Sequence, residues 1–247
     1  MFKKVLVLLT VFSVAALAGA EVTYLVGSVT YQRGGVTKTA SLGTELKSGD
    51  VVITGSRSRV ELTFGDGSLT RLGSEARLTI ERSAGGLGEA TVVNCTGGRV
   101  WSNVTPFTNS DGAYVVTTPT ASAAVRGTVF RTDIYPDTST LLRVYEGSVE
   151  IWNPLMALEG PMFWETESSG GGDPDPGERH EVVGPHEVSG PVEVSEEEWE
   201  NILIGQMSQV YITADGSVLD QMEFSADDEL EDEWVEWNQE RDEELGR

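Results

Sequence analysis

The sequence predicts an all-β domain, a compact sandwich or roll of short antiparallel strands, followed by a Gly/Pro-rich linker and an acidic α-helical C-terminal region. Two observations support this prediction. Short runs rich in β-branched and aromatic residues are separated by Gly- and Asp-containing turns, at the spacing of about eight to twelve residues typical of sandwiches and barrels. The charge then shifts, because residues 1–158 contain 13 acidic and 14 basic residues whereas residues 159–247 contain 27 acidic and three basic ones.

Residues 1–20 have the pattern of a secretory signal peptide. Lys3 and Lys4 precede an apolar run, and the small residues Ala18, Gly19 and Ala20 offer a cleavage site. The run is shorter than the roughly 20 residues that span a bilayer, and no later stretch is long and apolar enough to do so. We therefore expect cleavage after Ala20 and a periplasmic or secreted product without a transmembrane anchor; an uncleaved anchor helix is the alternative.

Residues 21–153 are predicted to form the β-domain. Within residues 59–64, the apolar residues Val60, Leu62 and Phe64 alternate with polar ones, which indicates a strand with one face on the core and the other in water. The predicted strands comprise residues 22–26, 28–32, 51–54, 59–64, 69–72, 77–80, 90–94, 98–104, 114–118, 128–134, 141–145 and 148–152.

Residues 154–194 are predicted to be an extended linker. Gly, Pro, Ser and Asp dominate residues 168–178, and three Glu-Val units follow at a period of six residues. Pro cannot donate to a sheet ladder, so this stretch is expected to run extended or as an edge strand.

Residues 195–247 are predicted to be an acidic helical tail. Ser195 and Glu198 form a capping box, after which Trp199, Ile202, Leu203 and Met207 fall at helical spacing. A small hairpin is expected over residues 210–219, and a second helix from residue 226. The side chains expected to dock, either on the chain itself or on a partner, are Trp199, Trp234, Trp237 and Arg241.

The chemical inventory argues against most catalytic and metal sites. A formal net charge of -23 excludes a nucleic-acid binder without a separate basic patch. One cysteine, Cys95, and two histidines, His180 and His186, cannot build a disulfide framework or a cysteine-rich metal site. Asp50, Asp66 and Asp111 adjoin glycines and are expected to shape turns rather than bind a cation. We therefore predict no cofactor, no metal and no catalytic residue.

Two segments resemble the FecR domain family. Residues 42–73 contain a Gly-Asp, a Thr-Gly, a Ser-Arg and an Asp-Gly-Ser, and residues 118–151 contain a Thr-Pro, a Val-Arg-Gly-Thr and a Glu-Gly-Ser-Val. The motif residues, expected to be structural, are Gly49, Asp50, Thr54, Gly55, Ser58, Arg59, Asp66, Gly67, Ser68, Thr118, Pro119, Arg126, Gly127, Thr128 and Gly147.

The resemblance implies a β-rich extracytoplasmic module, known best in membrane-anchored regulators that control a sigma factor. The predicted cleavable signal stands in place of their cytoplasmic segment and membrane helix, so any signalling is expected to need a further partner. Arg126 is expected to be at least half-buried, where it braces strands or recognises an anionic partner group.

The predicted function is a noncatalytic binding or signalling module of the bacterial envelope that recognises a protein partner. The alternatives are an envelope glycan-binding or structural protein, suggested by six Trp residues, and a polysaccharide hydrolase that uses two of the 40 Asp and Glu residues.

Overall fold

The computed structural model describes residues 19–82, 90–106, 113–152, 202–219, 221–225, 229 and 232–247. Their secondary structure comprises β1 (Ala20–Val26), β2 (Val29–Arg33), β3 (Val36–Thr39), β4 (Glu45–Leu46), β5 (Val51–Thr54), β6 (Arg59–Phe64), β7 (Leu69–Leu72), β8 (Arg77–Arg82), β9 (Thr91–Asn103), β10 (Tyr114–Thr117), β11 (Ser122–Val125), β12 (Val129–Ile134), β13 (Thr140–Glu146), β14 (Val149–Trp152), β15 (Ile202–Ile204), β16 (Ser208–Ile212), β17 (Met222–Glu223) and α1 (Glu233–Glu244).

The strands form two sheets that share β9. The first sheet has the order β4-β1-β6-β7-β9-β12-β13-β16-β17. The second has the order β3-β2-β5-β8-β9-β10-β11-β14-β15. Every pairing is antiparallel except that of β9 with β10. These strands confirm the predicted all-β class.

The hydrophobic core lies between the two sheets. From the first sheet, Leu62 and Phe130 point inward, and from the second sheet Leu78 and Tyr114 meet them. All four are essentially inaccessible to solvent. Burial of such apolar surface is the main favourable term in folding, so the period-two pattern read from the sequence accounts for the inner layer.

β9 passes from one sheet to the other at Gly98. Residues 91–94 pair with β10 in the second sheet, and residues 98–103 pair with β12 in the first. Gly98 has a φ of +81°, and a Cβ atom there would lie 2.5 Å from the Cα of Ala76. The sequence analysis predicted two separate strands here, whereas the absence of a side chain lets one strand turn this corner.

The predicted helix from Ser195 through Met207 is wrong over its described part. Residues 202–204 are β15, which pairs with β14, and Met207 lies in a turn that leads into β16. The apolar residues at helical spacing also satisfy two short strands, and free edges at β13 and β14 provide their partners. Residues 195–201, including Trp199, lie outside the described residues.

Other expectations for the C-terminal region hold in part. The predicted hairpin is confirmed by the bridge between Ile212 and Val218, with Asp215 and Gly216 in the turn. The last predicted helix is confirmed as α1, although it begins at Glu233 rather than near residue 226. The linker over residues 154–194 lies outside the described residues, and the division of the chain into body, linker and tail stays a prediction.

Replacing Gly98 with Ala is expected to lower the free energy of unfolding by roughly 3 kcal/mol, from left-handed backbone strain and the clash with Ala76. Urea denaturation monitored by tryptophan fluorescence measures the loss. Gly97→Ala is the matched control, because its Cβ would meet no atom within 4 Å. Equal stability of the two variants would contradict the role assigned to Gly98.

Candidate functional site

The outer face of the first sheet carries a row of large polar and aromatic side chains. Each stands directly opposite the next on the neighbouring strand, so the row crosses the whole face. We call these residues the arginine row: Tyr24, Glu61, Arg71, Trp101, Arg131, Arg143 and Gln209. Residues in such register on one face contact each other directly.

Helix α1 covers the part of the arginine row from Tyr24 to Trp101. Asp232 is its N-cap and accepts a hydrogen bond from the amide of Trp234 at 3.0 Å. The buried residues of the helix are Val235, Asn238 and Asp242, which share one face. The sequence analysis expected the outer face of residues 59–64 to meet water, but Glu61 on that face is only 1% exposed because α1 lies over it.

Arg71 lies at the centre of this interface and is fully buried. Its Nε donates to Oε2 of Glu61 at 2.8 Å, and its Nη1 donates to the backbone carbonyl of Asn238 at 3.1 Å. Its Nη2 lies 2.7 Å from Oδ1 of Asp242, an ion-pair contact rather than a well-angled hydrogen bond. A guanidinium keeps its charge at every accessible pH, so this position requires its carboxylates.

Asp242 is shared between the charge of Arg71 and the indole of Trp101. The Nε1 of Trp101 donates to Oδ2 of Asp242 at 3.1 Å, while Oδ1 faces Arg71. Trp101 also packs on Tyr145, with ring centroids 4.6 Å apart. One carboxylate of α1 therefore joins two neighbouring strands of the sheet.

Trp237 packs its ring among arginines and another aromatic residue. The guanidinium carbons of Arg59 and Arg71 lie 4.6 Å and 5.7 Å from the ring centroid. The ring of Tyr24 lies 5.5 Å away, and Trp234 stacks at 5.3 Å. Cations over an indole face are attracted by its quadrupole, so Trp237 adds an aromatic contact to the ionic ones.

A second ionic cluster holds the segment that leads into α1. Arg131 pairs with Asp133 on its own strand through Nη2 and Oδ2 at 2.5 Å, and with Oε2 of Glu229 at 3.0 Å. Arg143 pairs with the other oxygen of Glu229. Arg131 is 4% exposed and Glu229 is 7% exposed. Two cations from adjacent strands thus bind one carboxylate.

Asp232 connects this cluster to the helix. Its carboxylate pairs with Nη1 of Arg99 at 2.8 Å and with Nη1 of Arg131 at 3.1 Å. Burial opposes ionisation of Asp232, but Arg131, Arg99 and the amide of Trp234 outweigh it and hold its pKa below the ordinary value.

Glu61 is similarly held in its ionised form. Burial would raise the pKa of Glu61, but the hydrogen bond and charge of Arg71, with hydrogen bonds from Thr23 and Arg241, lower it below the ordinary value. A carboxylate in this state accepts hydrogen bonds and is a poor general acid.

The FecR motif residues lie in turns and strand junctions. The Thr54 hydroxyl donates to the carbonyl of Gly73 at 2.6 Å, and the Ser58 hydroxyl accepts from the amide of Ser28 at 2.9 Å. In the second segment, the Thr128 hydroxyl donates to the carbonyl of Ser148 at 2.9 Å. These contacts fit the structural role that we propose for the motif.

The carboxylates of the motif accept hydrogen bonds from backbone amides in their turns. Asp66 accepts from the amide of Ser68 at 2.8 Å, in the manner expected of an aspartate in a turn. Asp50 accepts from the amide of Lys47 and pairs with Arg33 at 2.5 Å. Asp111 lies outside the described residues.

The remaining motif residues also lie in turns and next to strand ends. The glycines Gly49, Gly67, Gly127 and Gly147 have positive φ angles. The amide of Gly55 donates to the carbonyl of Ser28, Thr118 makes hydrogen bonds across its turn, and Pro119 is exposed. A Cβ at Gly147 would lie 2.9 Å from the carbonyl oxygen of Gly127. Arg59 differs from the others because it contacts Trp237 of α1.

Arg126 does not lie where the sequence analysis expected. Its side chain is exposed rather than half-buried, beside a small cavity lined by Val125, Ser148 and Leu203 among others. The buried arginines are instead Arg71 and Arg131. An arginine with apolar neighbours in sequence is not necessarily buried. Its burial depends on whether a distant segment of the chain covers that part of the fold, as α1 covers Arg71.

The four side chains predicted to dock have different positions. Trp234, Trp237 and Arg241 are half-buried against the chain's own β-body. Arg241 approaches Glu61, with Nε and Oε2 3.4 Å apart, and its guanidinium lies over Tyr24. Trp199 lies outside the described residues. Within the chain, the intramolecular alternative therefore accounts for the observed contacts of three of them.

Two grooves flank α1. One, of about 610 Å³, lies at its N-terminal end and is lined by Arg57, Arg59, Arg99, Asp232 and Trp234, among others. The other, of about 260 Å³, lies near its C-terminal end beside Trp101 and Tyr145. Both are bounded by the helix on one side, so their shape depends on where α1 lies.

The described residues contain no group of three or more His, Cys, Asp or Glu side chains arranged to hold a metal ion. Cys95 is fully buried, and burial raises the pKa of its thiol to about 12, so it is a poor nucleophile. His180 and His186 lie outside the described residues. Among the described residues, no helix has the length and apolar character needed to cross a membrane.

Sequence reasoning missed Glu61, Arg71, Arg131 and Glu229 as site residues. One signal was present: Arg71, Arg131 and Arg143 each sit within apolar strands. These arginines and the acidic C-terminal segment carry opposite charges. That complementarity could have suggested a contact, although not which residues meet.

The fold and the turn motifs can be compared with known proteins. The model of the family described as FecR protein matches residues 50–150, in agreement with the family that the motifs predicted. No curated protein matches the chain.

Two solved structures of a candidate anti-sigma factor from Parabacteroides distasonis ATCC 8503 share 14% sequence identity with the chain, cover 71% of it and have a TM-score of 0.46. The chain spans 60% of the length of these proteins. A similarity of this extent does not assign a function.

Replacing Asp242 with Asn is expected to lower the free energy of unfolding by about 3 kcal/mol, since it leaves part of the charge of buried Arg71 uncompensated. Urea denaturation measures the loss, and hydrogen exchange of the α1 amides locates it. Glu240→Gln is the control, because Glu240 is exposed on the same helix. If the two variants are equally stable, Asp242 does not anchor α1.

Docking of α1 is expected to weaken in acid. The folded-state pKa values of Glu61 and Asp232 lie below their ordinary values of 4.5 and 3.8. Their stabilisation is therefore complete above those values and is lost as the pH falls through the lower folded-state values. Hydrogen exchange of α1, measured from pH 7 to pH 2.5 and corrected for intrinsic rates, tests this.

The pH control is Asp215→Asn. The pKa of Asp215 is also lowered, by hydrogen bonds within its own turn, but this carboxylate is fully exposed and distant from α1 in the fold. The substitution should leave the pH dependence of α1 protection unchanged. An α1 equally protected at pH 2.5 and pH 7 would show that the carboxylates do not hold it.

Proposed function

We propose that this protein is a noncatalytic, extracytoplasmic binding module of the bacterial envelope that recognises a protein partner. The observation that carries the proposal is the FecR domain over residues 50–150. FecR proteins are envelope-associated regulators rather than enzymes. The β-sandwich would serve as the scaffold, and the C-terminal acidic region would control access to one of its faces.

The arrangement of buried carboxylates favours binding over hydrolysis. A polysaccharide hydrolase needs two carboxyl groups facing a cleft, one of them able to donate a proton. Glu61, Asp133, Glu229 and Asp242 are instead each paired with an arginine and covered. Carboxylates that are paired with arginines and covered in this way suit a structural or recognition role, and, despite its burial, pairing with Arg71 lowers the pKa of Glu61.

The exposure of aromatic side chains bears on the glycan-binding alternative. Glycan platforms present flat, accessible aromatic rings, whereas Trp101 is buried and Trp234 and Trp237 are half-buried against the β-body. Tyr135, 40% exposed, is the only aromatic residue among the markedly exposed hydrophobic side chains of the described residues. The described part of the chain therefore offers little support for a stacking platform.

Export is part of the proposal, and the sheet suggests where the signal would end. The amide of Gly19 donates to the carbonyl of Leu46 at 2.7 Å, and Ala20 pairs with Leu46 and Phe64 in the first sheet. Cleavage after Ala20 would remove Ala20 from β1 together with the hydrogen bond of Gly19. Ala18 also ends a small-x-small sequence with Ala16.

We expect the mature protein to begin at Gly19 rather than at Glu21, because Gly19 and Ala20 stabilise the edge of β1. Intact-mass spectrometry and N-terminal sequencing of protein recovered from the producing cell's envelope fraction measure this directly. A mature chain that begins at Glu21 would contradict it, and an unprocessed chain would contradict export by a cleaved signal.

Photo-crosslinking in the native envelope tests partner recognition. The full chain carries a crosslinking amino acid at Val36, Leu203 or Met222, which are 57%, 65% and 56% exposed on β3, β15 and β17. A discrete crosslinked protein, the same in repeated preparations, supports the proposal. The control places the crosslinker at buried Val144, which should give none.

Retention by purified peptidoglycan without any protein crosslink would contradict partner recognition and favour the glycan-binding alternative. A truncation at residue 153 is unsuitable for this experiment. It would remove β15 and β16, which pair with β14 and β13, and would expose new sheet edges.

A further inference from the structure

The interface between α1 and the first sheet is dominated by charge complementarity. The segment from Glu229 to Asp242 supplies carboxylates, and the sheet supplies Arg71, Arg99, Arg131 and Arg143 from four consecutive strands. Surfaces of opposite charge steer association and select partners. The outer face of the sheet is therefore built to receive an acidic helix.

The helix brings carboxylates and the half-buried rings of Trp234 and Trp237 to this interface. Val235 is its only fully buried apolar residue, and Asn238 and Asp242 are the other buried ones. Charged groups that leave such an interface regain hydration, which offsets part of the lost attraction. A terminal helix held mainly by ion pairs can be displaced more readily than one held by a large apolar face.

The face under α1 has the composition of a protein recognition site. It places Trp101, Tyr145 and Phe224 in one cluster, with arginines of the arginine row beside them. Tryptophan, tyrosine and arginine dominate the binding energy of protein interfaces. Such residues on the outer side of a sheet are not required for the core, which the inner side already forms.

We propose that this face is a recognition surface for an acidic helix of a partner protein, and that α1 occupies it in the absence of the partner. The partner helix would present a tryptophan followed five positions later by an aspartate, as Trp237 and Asp242 do. This inference rests on the proposed function and specifies the partner's chemistry.

Occupancy by α1 sets the condition for partner binding. A tethered helix acts at an effective concentration that reaches the millimolar range for short linkers. A free helix of equal intrinsic affinity therefore binds weakly until α1 is weakened. The partner must bind more tightly than α1, or α1 must be released by other means.

Competition with a synthetic helix tests this inference. The probe is a fluorescein-labelled peptide of residues 229–247, and the receptors are the full wild-type chain and the full chain with Trp237→Ala and Asp242→Asn. Fluorescence anisotropy should show at least a roughly tenfold tighter Kd for the doubly substituted chain. Glu240→Gln is the matched receptor control and should bind as the wild type does.

Two further controls tie the binding to the face of the sheet under α1. A peptide with Asp242→Asn and Trp237→Ala should bind at least roughly tenfold more weakly to the released chain. Adding Arg99→Gln to the receptor should lower its affinity for the intact peptide, because Arg99 pairs with Asp232. The side chain of Arg99 is 46% exposed, so its loss leaves the core intact. Circular dichroism verifies that each receptor is folded.

Three results would overturn the inference. Hydrogen exchange could show α1 released in the doubly substituted chain without any gain in peptide affinity. The substituted and intact peptides could bind equally. Wild-type chains with two different tags could form mixed dimers that the peptide dissociates, which would make a second copy the occupant. A protein crosslinked through β3 or β15 alone would leave the proposed function standing while this inference fails.

Discussion

The buried guanidinium of Arg71 is the constraint on which the outer half of the structure depends. Its charge cannot be removed by deprotonation, and it lies on β7 inside the first sheet, where water does not reach it. Glu61 on the adjacent strand provides one negative charge, and Asp242 on α1 provides the other. Because an uncompensated buried charge is strongly destabilising, Arg71 favours an acidic helix over this face, and in this structure α1 is that helix.

The two faces of the first sheet therefore have different physical origins. The inner face is a conventional apolar layer, filled by residues such as Leu62 and Phe130. The outer face is polar and ionic, and α1, which covers it, lies far along the chain: Arg71 and Asn238 are 167 residues apart. Strand β9 connects both layers, with Val100 on the core side and Trp101 under α1.

The FecR motif residues and the arginine row occupy different places in the fold. Motif residues such as Thr54, Ser58 and Thr128 close turns with hydrogen bonds to nearby backbone, which fits a role in making the sandwich. The arginine row lies on strands between those turns and faces outward. Arg59 links the motif to the helix, since it is part of the motif and packs against Trp237.

The sequence by itself determined the all-β class, the bounds of β5, β6 and β7, the hairpin at Asp215 and Gly216, and the existence of a last helix. These features follow from periodicity and turn chemistry, which act over a few residues. Only the tertiary structure decided that Glu61 is buried, that residues 202–212 add strands to both sheets, and that Arg126 is exposed while Arg71 is not. The physical reason is that burial of an outward-facing side chain depends on what distant segment covers it, and strand or helix choice in a short apolar run depends on which sheet edge is free.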